Sequence, residues 1–199
     1  MENMTLNKWI FMSDVPSSIF GSDAPAQSAI GYMYVDHECG ITMALACLCE
    51  EDNGLLRIVG EQFMVPGGKS ILLRYESLDL DRIRVLTDEE VGKLGLSLPS
   101  YWKEIYKIDK YEWIVQDTRL DPFRAPGYPH DVYMLLLGQE GNEQIWGRLE
   151  QRLDQQRFIA TLLNEPEQQE FGLHIHDVVG ILLVEKSDIS ALVIVDKLN

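Results

Sequence analysis

Apolar and polar side chains alternate in short runs through both halves of the chain, and helical spacing is confined to the middle. Such alternation is typical of strands with one buried face. The run Ile41–Cys49 is apolar at nearly every position, so a strand and a buried helix both remain open there. The other predicted strands are Trp9–Met12, Ile30–Val35, Leu55–Val59, Ile71–Tyr75, Val132–Leu137, Gln144–Leu153, Phe158–Leu163, Val178–Glu185 and Ala191–Val195.

Turn and capping residues divide these runs. The sequence 52–54 (Asp-Asn-Gly) predicts a hairpin, because Asn-Gly readily adopts the positive φ angles of a tight turn. Thr87 and Glu90 have the spacing of a capping box, which predicts a short helix ending near Gly95. Pro99 suits the start of a second helix. Helical spacing then predicts one apolar face formed by Tyr101, Trp102, Ile105 and Ile108.

The strand-rich pattern predicts an α+β fold that is mainly β. We expect an N-terminal α+β region over residues 1–109 and a β-rich domain over residues 110–199. Regularly spaced short strands in the second region predict a small barrel or curled antiparallel sheet, after a short helical middle segment. Residues 117–131 contain three prolines and a glycine, so we expect an irregular loop and a domain junction there.

The net charge of −15 is spread over both halves of the 199 residues, and it bears on which classes of partner the protein can bind. A negative field repels nucleic-acid phosphates and anionic membranes, so neither is expected as a partner. A basic protein is the partner that the charge favours, although solubility alone also accounts for an acidic surface. The acidic start Met1–Met4 and the three cysteines predict a cytoplasmic protein, because a secreted one would need a signal peptide and favours disulfides.

Several motifs resemble known sites only in part. The sequence 66–70 (Pro-Gly-Gly-Lys-Ser) lacks the first glycine of a phosphate-binding loop, because position 63 is phenylalanine, and we expect a turn. The pairs His37/Cys39 and Cys47/Cys49 are spaced too closely for a structural zinc site, so core packing of the cysteines is expected.

His174 and His176 could bind a metal from one face of a strand, but no third metal ligand has a recognisable spacing from them. The sequence therefore predicts no metal, no cofactor and no identifiable catalytic residue.

The segment 117–131 concentrates charged side chains and is the best candidate site. Irregular loops in compact domains often bind ligands or partners. The alternative is that Arg119 and Arg124 pair with neighbouring aspartates and hold the loop in place. Residues 164–165 follow a predicted strand, where they either form only a turn or make a polar site beside the 117–131 loop. Trp146 is predicted to be buried, covering that loop. The candidate binding residues are Asp117, Asp121, Arg124, His130, Asp131, Asn164 and Glu165.

Short motifs in residues 117–196 suggest a family resemblance. The sequence 124–129 (Arg-Ala-Pro-Gly-Tyr-Pro) precedes a Glu-x-Ile-Trp pattern at 143–146 and an Asn-x-Pro pattern at 164–166. This half resembles a group of uncharacterised bacterial domains, some associated with immunity proteins of bacterial toxin systems. His176-Asp177 stands where those domains have Gly-Asp. The resemblance implies a bacterial, cytoplasmic, non-enzymatic protein.

Three functions remain open. The leading hypothesis is a non-enzymatic acidic binding protein, of immunity type, that neutralises a protein partner. The alternative is a small-ligand-binding protein or an enzyme that uses the 117–131 loop. A third is a structural subunit that associates through a sheet edge.

Overall fold

A computed structural model describes residues 6–15, 19, 27–64, 70–139, 141–167, 171–187 and 189–198. The turn predicted at 66–69 lies outside these residues. The chain divides into two compact units, Met1–Asp109 and Lys110–Asn199. Within the described ranges, none of the helices combines the length and the apolar character that spanning a bilayer requires.

The first unit is built on an antiparallel sheet in the order β4-β3-β2-β1-β6, with β5 paired to β3. The β3–β4 hairpin turns at Asn53 and Gly54, whose φ angles are 51° and 77°, as the Asn-Gly pair predicts. The strands are β1 (Lys8–Val15), β2 (Gln27–Asp36), β3 (Gly40–Asp52), β4 (Leu55–Gln62), β5 (Leu72–Arg74) and β6 (Ile83–Val85). The strand alternative for Ile41–Cys49 is therefore correct.

Three helices follow this sheet: α1 (Asp88–Lys93), α2 (Ser100–Ile105) and α3 (Ile108–Gln116). The predicted capping box of α1 is formed, because Thr87 and Glu90 accept hydrogen bonds from each other's backbone N–H. The single apolar face predicted for residues 101–108 is wrong. Lys107, with a φ of 50°, separates α2 from α3, and Ile105 is 61% exposed, while Trp102 is buried.

The second unit is an antiparallel meander that curls until its last strand meets an early one. Its strands are β7 (Arg124–Ala125), β8 (Tyr128–Leu137), β9 (Asn142–Arg152), β10 (Arg157–Leu162), β11 (Val178–Lys186) and β12 (Ile189–Leu198). Consecutive strands pair, and β12 also pairs in parallel with β8 at Val193 and Leu135. The predicted α+β class with a curled C-terminal sheet is confirmed.

The core of the second unit lies inside the curled sheet. Alternate residues of the strands enter it, among them Ile145, Leu149 and Phe158, all nearly fully buried. Tyr111 and Ile114 of α3 belong to the same cluster. Segment 117–131 is more regular than predicted, because it contains a 3-10 helix (Thr118–Phe123), strand β7 and the start of β8. The proline-rich pattern was misleading, because prolines are compatible with a tight helical turn and with strand starts.

Candidate functional site

Arg124 holds the predicted loop together from inside. Its side chain is only 2% exposed. Nε donates to the Asp121 carboxylate at 2.8 Å, and Nη1 donates to the Pro129 carbonyl at 2.5 Å. Nη2 donates to the carbonyls of Ile114 (2.5 Å) and Asp117 (2.9 Å). Burial lowers the pKa of this guanidinium, yet an arginine surrounded by a carboxylate and backbone carbonyls stays protonated at neutral pH. The donors of Arg124 are thus engaged within the unit.

Asp117 lies between two arginines at the end of α3. Arg119 donates to it from Nε (2.8 Å) and Nη2 (2.7 Å), and Arg152 donates to the same carboxylate from the other side. These contacts, with the Arg119 hydrogen bond first, lower the pKa of Asp117. Arg152 also lies 5.0 Å from the centre of the Trp113 ring, a cation–π distance. The expected pairing of Arg119 and Arg124 with neighbouring aspartates is observed.

His130 and Asp131 begin the buried part of β8. The His130 side chain is 3% exposed, and its ring lies 5.6 Å from that of Tyr111. Asp131 accepts two hydrogen bonds from Arg148 on β9, at 2.7 and 3.1 Å. The structure therefore gathers Asp117, Asp121, Arg124, His130 and Asp131 into one region, where the charged members of the set bond to their neighbours.

Asn164 and Glu165 lie at the end of β10, with different neighbours. Asn164 Oδ1 accepts the backbone N–H of Trp146 at 2.8 Å. Glu165 contacts His174 Nδ1 at 2.7 Å and accepts the backbone N–H of Ile175 at 2.7 Å. The His174 contact, followed by this backbone bond, lowers the pKa of Glu165. Glu165 is thereby held as an exposed anion.

A groove with acidic walls lies beside these two residues. It encloses about 650 Å³ and is lined by Leu135, Asn142, Glu143, Gln144, Asn164, Glu165 and Glu167. Glu143 accepts the backbone N–H of Glu167 at 2.7 Å, which joins strand β9 to the segment after β10. The described lining contains three carboxylates and no basic side chain. Such a surface suits a positively charged group.

Trp146 lies next to this groove on the outer face of β9. The prediction that it is buried is wrong, because 41% of its surface is exposed. The inward-facing positions of β9 are Ile145, Gly147 and Leu149, so Trp146 belongs to the alternate, outer set. Its ring lies 5.8 Å from that of Tyr133 on β8. Exposed tryptophan is among the residues that contribute most to protein interfaces.

The first unit contains a different concavity. This groove of about 410 Å³ has a mainly apolar wall that includes Trp9, Cys47, Ile58, Met64 and Leu94. Burial raises the pKa of the Cys47 thiol to about 11. Burial is also the largest cause of the raised pKa of Cys49, which is about 12. Their thiols are therefore poor metal ligands or nucleophiles at neutral pH. In the described part of the chain, no three His, Cys, Asp or Glu side chains are grouped as a metal site requires.

Comparisons with protein-family models, curated proteins and solved structures gave no match to this chain. The site must accordingly be interpreted from its own residues. Sequence reasoning selected Asn164 and Glu165 but missed Glu143, Glu167 and the exposure of Trp146. The strand parity of Trp146 with Gln144 and Arg148 was the available signal, because polar residues at alternate positions mark the outer face.

Proposed function

We propose that this chain is a non-enzymatic acidic binding protein whose partner is a basic protein. The observation that carries the proposal is the acidic groove of the second unit, with Glu143, Glu165 and Glu167 on its walls and an exposed tryptophan beside it. Carboxylates at an open surface attract Lys and Arg side chains and steer their approach. The resemblance to immunity-type domains suggests that binding neutralises the partner in a bacterial cytoplasm.

The alternative function, small-ligand binding or catalysis at segment 117–131, has less support. A ligand site there would need available donors on Arg124 and an open approach to His130. The guanidinium of Arg124 instead bonds to three backbone carbonyls and Asp121, and the His130 side chain is nearly fully buried. The exposed charges near the groove are therefore the better basis for a function.

The test begins by capturing the partner on immobilised protein from the source cell, followed by stopped-flow kinetics over a salt series. We expect the association rate to fall as salt rises, because the Debye length shrinks from about 10 Å at 0.1 M to about 3 Å at 1 M. Dissociation should change far less, since it depends on the desolvated centre of an interface. Capture of a small molecule, with no basic protein, would overturn the proposal.

Two matched charge variants test whether the groove carboxylates are the ones that speed association. The double variant Glu165→Gln/Glu167→Gln removes two groove charges, and Glu50→Gln/Glu89→Gln removes two charges from the first unit. Both proteins have the same net charge. We expect the groove variant to slow association roughly tenfold, and the control to slow it at most about twofold. Equal effects of the two variants would show that general charge, and not the groove, attracts the partner.

A further inference from the structure

The outer face of the curled sheet carries apolar side chains where a solvated antiparallel sheet normally carries polar ones. Tyr133 lies opposite Trp146 in the β8–β9 register, and Leu135 pairs with Val193 of β12. Directly paired residues point to the same side of a sheet. We name the set formed by Tyr133, Leu135, Leu137, Trp146 and Val193 the outer apolar face.

This face is distinct from the core. The alternate residues of β8, Met134 and Leu136, are almost fully buried, whereas Leu137 is 60% exposed and Trp146 is 41% exposed. Tyr133, Leu135 and Val193 are partly exposed. Contiguous apolar surface of this kind is uncommon on monomeric proteins and marks interaction sites.

The centre of the face is held in place before any partner arrives. Asn164 Oδ1 accepts the Trp146 backbone N–H at 2.8 Å, and Trp146 packs on Tyr133. The Tyr133 hydroxyl in turn accepts a hydrogen bond from Gln144 Nε2 at 2.9 Å. Side chains that are already ordered lose little entropy on binding. Trp146 is therefore suited to act as the anchor of an interface.

The outer apolar face is continuous with the acidic groove. Leu135 belongs to both, and Gln144 of the groove wall is bonded to Tyr133 of the face. Glu165 and Glu167 line the groove beside Gln144 and Leu135 of this face. Glu143 also lines the groove, but it pairs with Leu136 and so has the inward parity of β9. A second copy of this chain would bring the same carboxylates to the contact, and like charges in an interface are costly. The charges instead complement a partner with lysine or arginine beside apolar side chains.

We propose that the outer apolar face and the adjoining groove form one docking surface for a basic segment of a partner protein. Apolar side chains of that segment cover Trp146, Leu135 and Leu137, and its Lys or Arg side chains enter the groove. The inference rests on the proposed function, and it adds the place of contact and the mixed apolar and basic character of the partner. Trp146 is the residue whose loss should cost the most affinity.

The probe is a short peptide of alternating lysine and leucine, added to ¹⁵N-labelled protein. The Trp146 indole N–H signal, assigned with Trp146→Phe, reports contact. Two peptides of equal length serve as comparisons: one has serine for leucine, and the other has glutamate for lysine. We expect the lysine–leucine peptide to shift the Trp146 signal, the lysine–serine peptide to bind about tenfold or more weakly, and the glutamate peptide not to bind.

Protein variants complete the test. Leu137→Ser and Trp146→Ala should each weaken binding of the lysine–leucine peptide by about tenfold or more. Leu55→Ser is the control, because Leu55 is 69% exposed in the first unit, and it should leave binding unchanged. The ¹⁵N spectrum of each variant verifies that the fold is retained.

Three results would overturn the docking surface: an unmoved Trp146 signal, equal weakening by Leu55→Ser and Leu137→Ser, or self-association that protects Trp146. The docking surface and the proposed function can fail separately. If a basic protein binds the wild type and Trp146→Ala with equal affinity, this surface is refuted and the function stands. If the peptide binds here but no basic protein is captured, the function is refuted and the surface stands.

Discussion

Replacing Arg124 with methionine tests whether this arginine is structural. The variant keeps most of the side-chain volume but removes the hydrogen-bond donors that reach Asp121 and the carbonyls of Ile114, Asp117 and Pro129. Ile114 lies in α3, Asp117 is the N-cap residue of the following 3-10 helix, and Pro129 lies near the start of β8. From β7, one buried guanidinium therefore connects α3, the start of the 3-10 helix and β8, and without it their acceptors lose their shared donor.

The expected loss follows from burial. The Arg124 side chain is 2% exposed, and that of Asp121 is 35% exposed. Breaking a buried ion pair by removing one partner costs about 3–5 kcal/mol, and each buried acceptor left without a donor costs about 1–3 kcal/mol. Water that enters the site offsets part of the sum, so we expect a net loss of about 3–5 kcal/mol. Arg124→Lys should recover only part of it, because an ammonium cannot match the planar fork.

Urea unfolding, followed by circular dichroism and tryptophan fluorescence, measures this loss. With an m-value of about 2 kcal/mol/M, the midpoint of the second unit should fall by about 2 M. The control is Arg157→Met, which removes an ion pair with Asp154 that is open to solvent, and its midpoint should hardly change. If both variants shift the midpoint equally, or if Arg124→Met leaves stability unchanged, the structural role of Arg124 is refuted.

Three further predictions concern other sites. The pKa of Asp117 is lowered in the folded protein, first by its hydrogen bond with Arg119. The ionised Asp117 therefore stabilises the fold above its unfolded pKa of about 4, and this stabilisation is lost as the pH falls through the folded pKa. Asp117→Asn should therefore lower the urea midpoint at pH 7 but not in strong acid, and a pH-independent difference would contradict this. Gly31→Ala should destabilise the protein by about 1–3 kcal/mol, because a Cβ there would lie 2.5 Å from a β3 carbonyl oxygen. The control is Gly92→Ala in α1, where a Cβ meets open space, and this variant should be neutral or stabilising. Similar losses of stability in both variants would refute the steric explanation. Metal analysis of protein purified without chelator should find no stoichiometric zinc, and one equivalent lost on Cys47→Ser would show that the cysteines bind metal.

Much of the fold follows from alternation and turn chemistry. Strands β8 to β12 were predicted to within a few residues, because each has one face in the core and one outside, whereas the two-residue β7 was missed inside the predicted loop. β3 was ambiguous for a physical reason: from Gly40 to Cys47 every residue is buried, so no polar alternation marks it as a strand. The break at Lys107 was missed, since helical spacing alone does not reveal a positive φ at a lysine.

The site was less predictable than the fold. The groove joins Glu143 of β9 to Glu165 and Glu167 beyond β10, and only the three-dimensional register brings them together. Arg124 was selected for its charge, but the sequence does not show that its donors are directed at backbone carbonyls. Trp146 could have been placed correctly, because it shares strand parity with Gln144 and Arg148. An aromatic side chain was assumed to be buried when its strand position indicated otherwise.

The parallel contact between Val193 and Leu135 has a consequence for how the second unit forms. The antiparallel neighbours can assemble as local hairpins, whereas this contact must close a loop of roughly sixty residues and should form late. Until β12 pairs with them, β11 and the part of β8 beyond Val132 have unpaired backbone edges to which other chains can bind. Partly folded chains in which β12 is not yet paired, whether during synthesis or refolding, are the most prone to aggregate. Their mutual repulsion, from the same acidic side chains that we propose attract the partner, would keep them apart until the sheet closes.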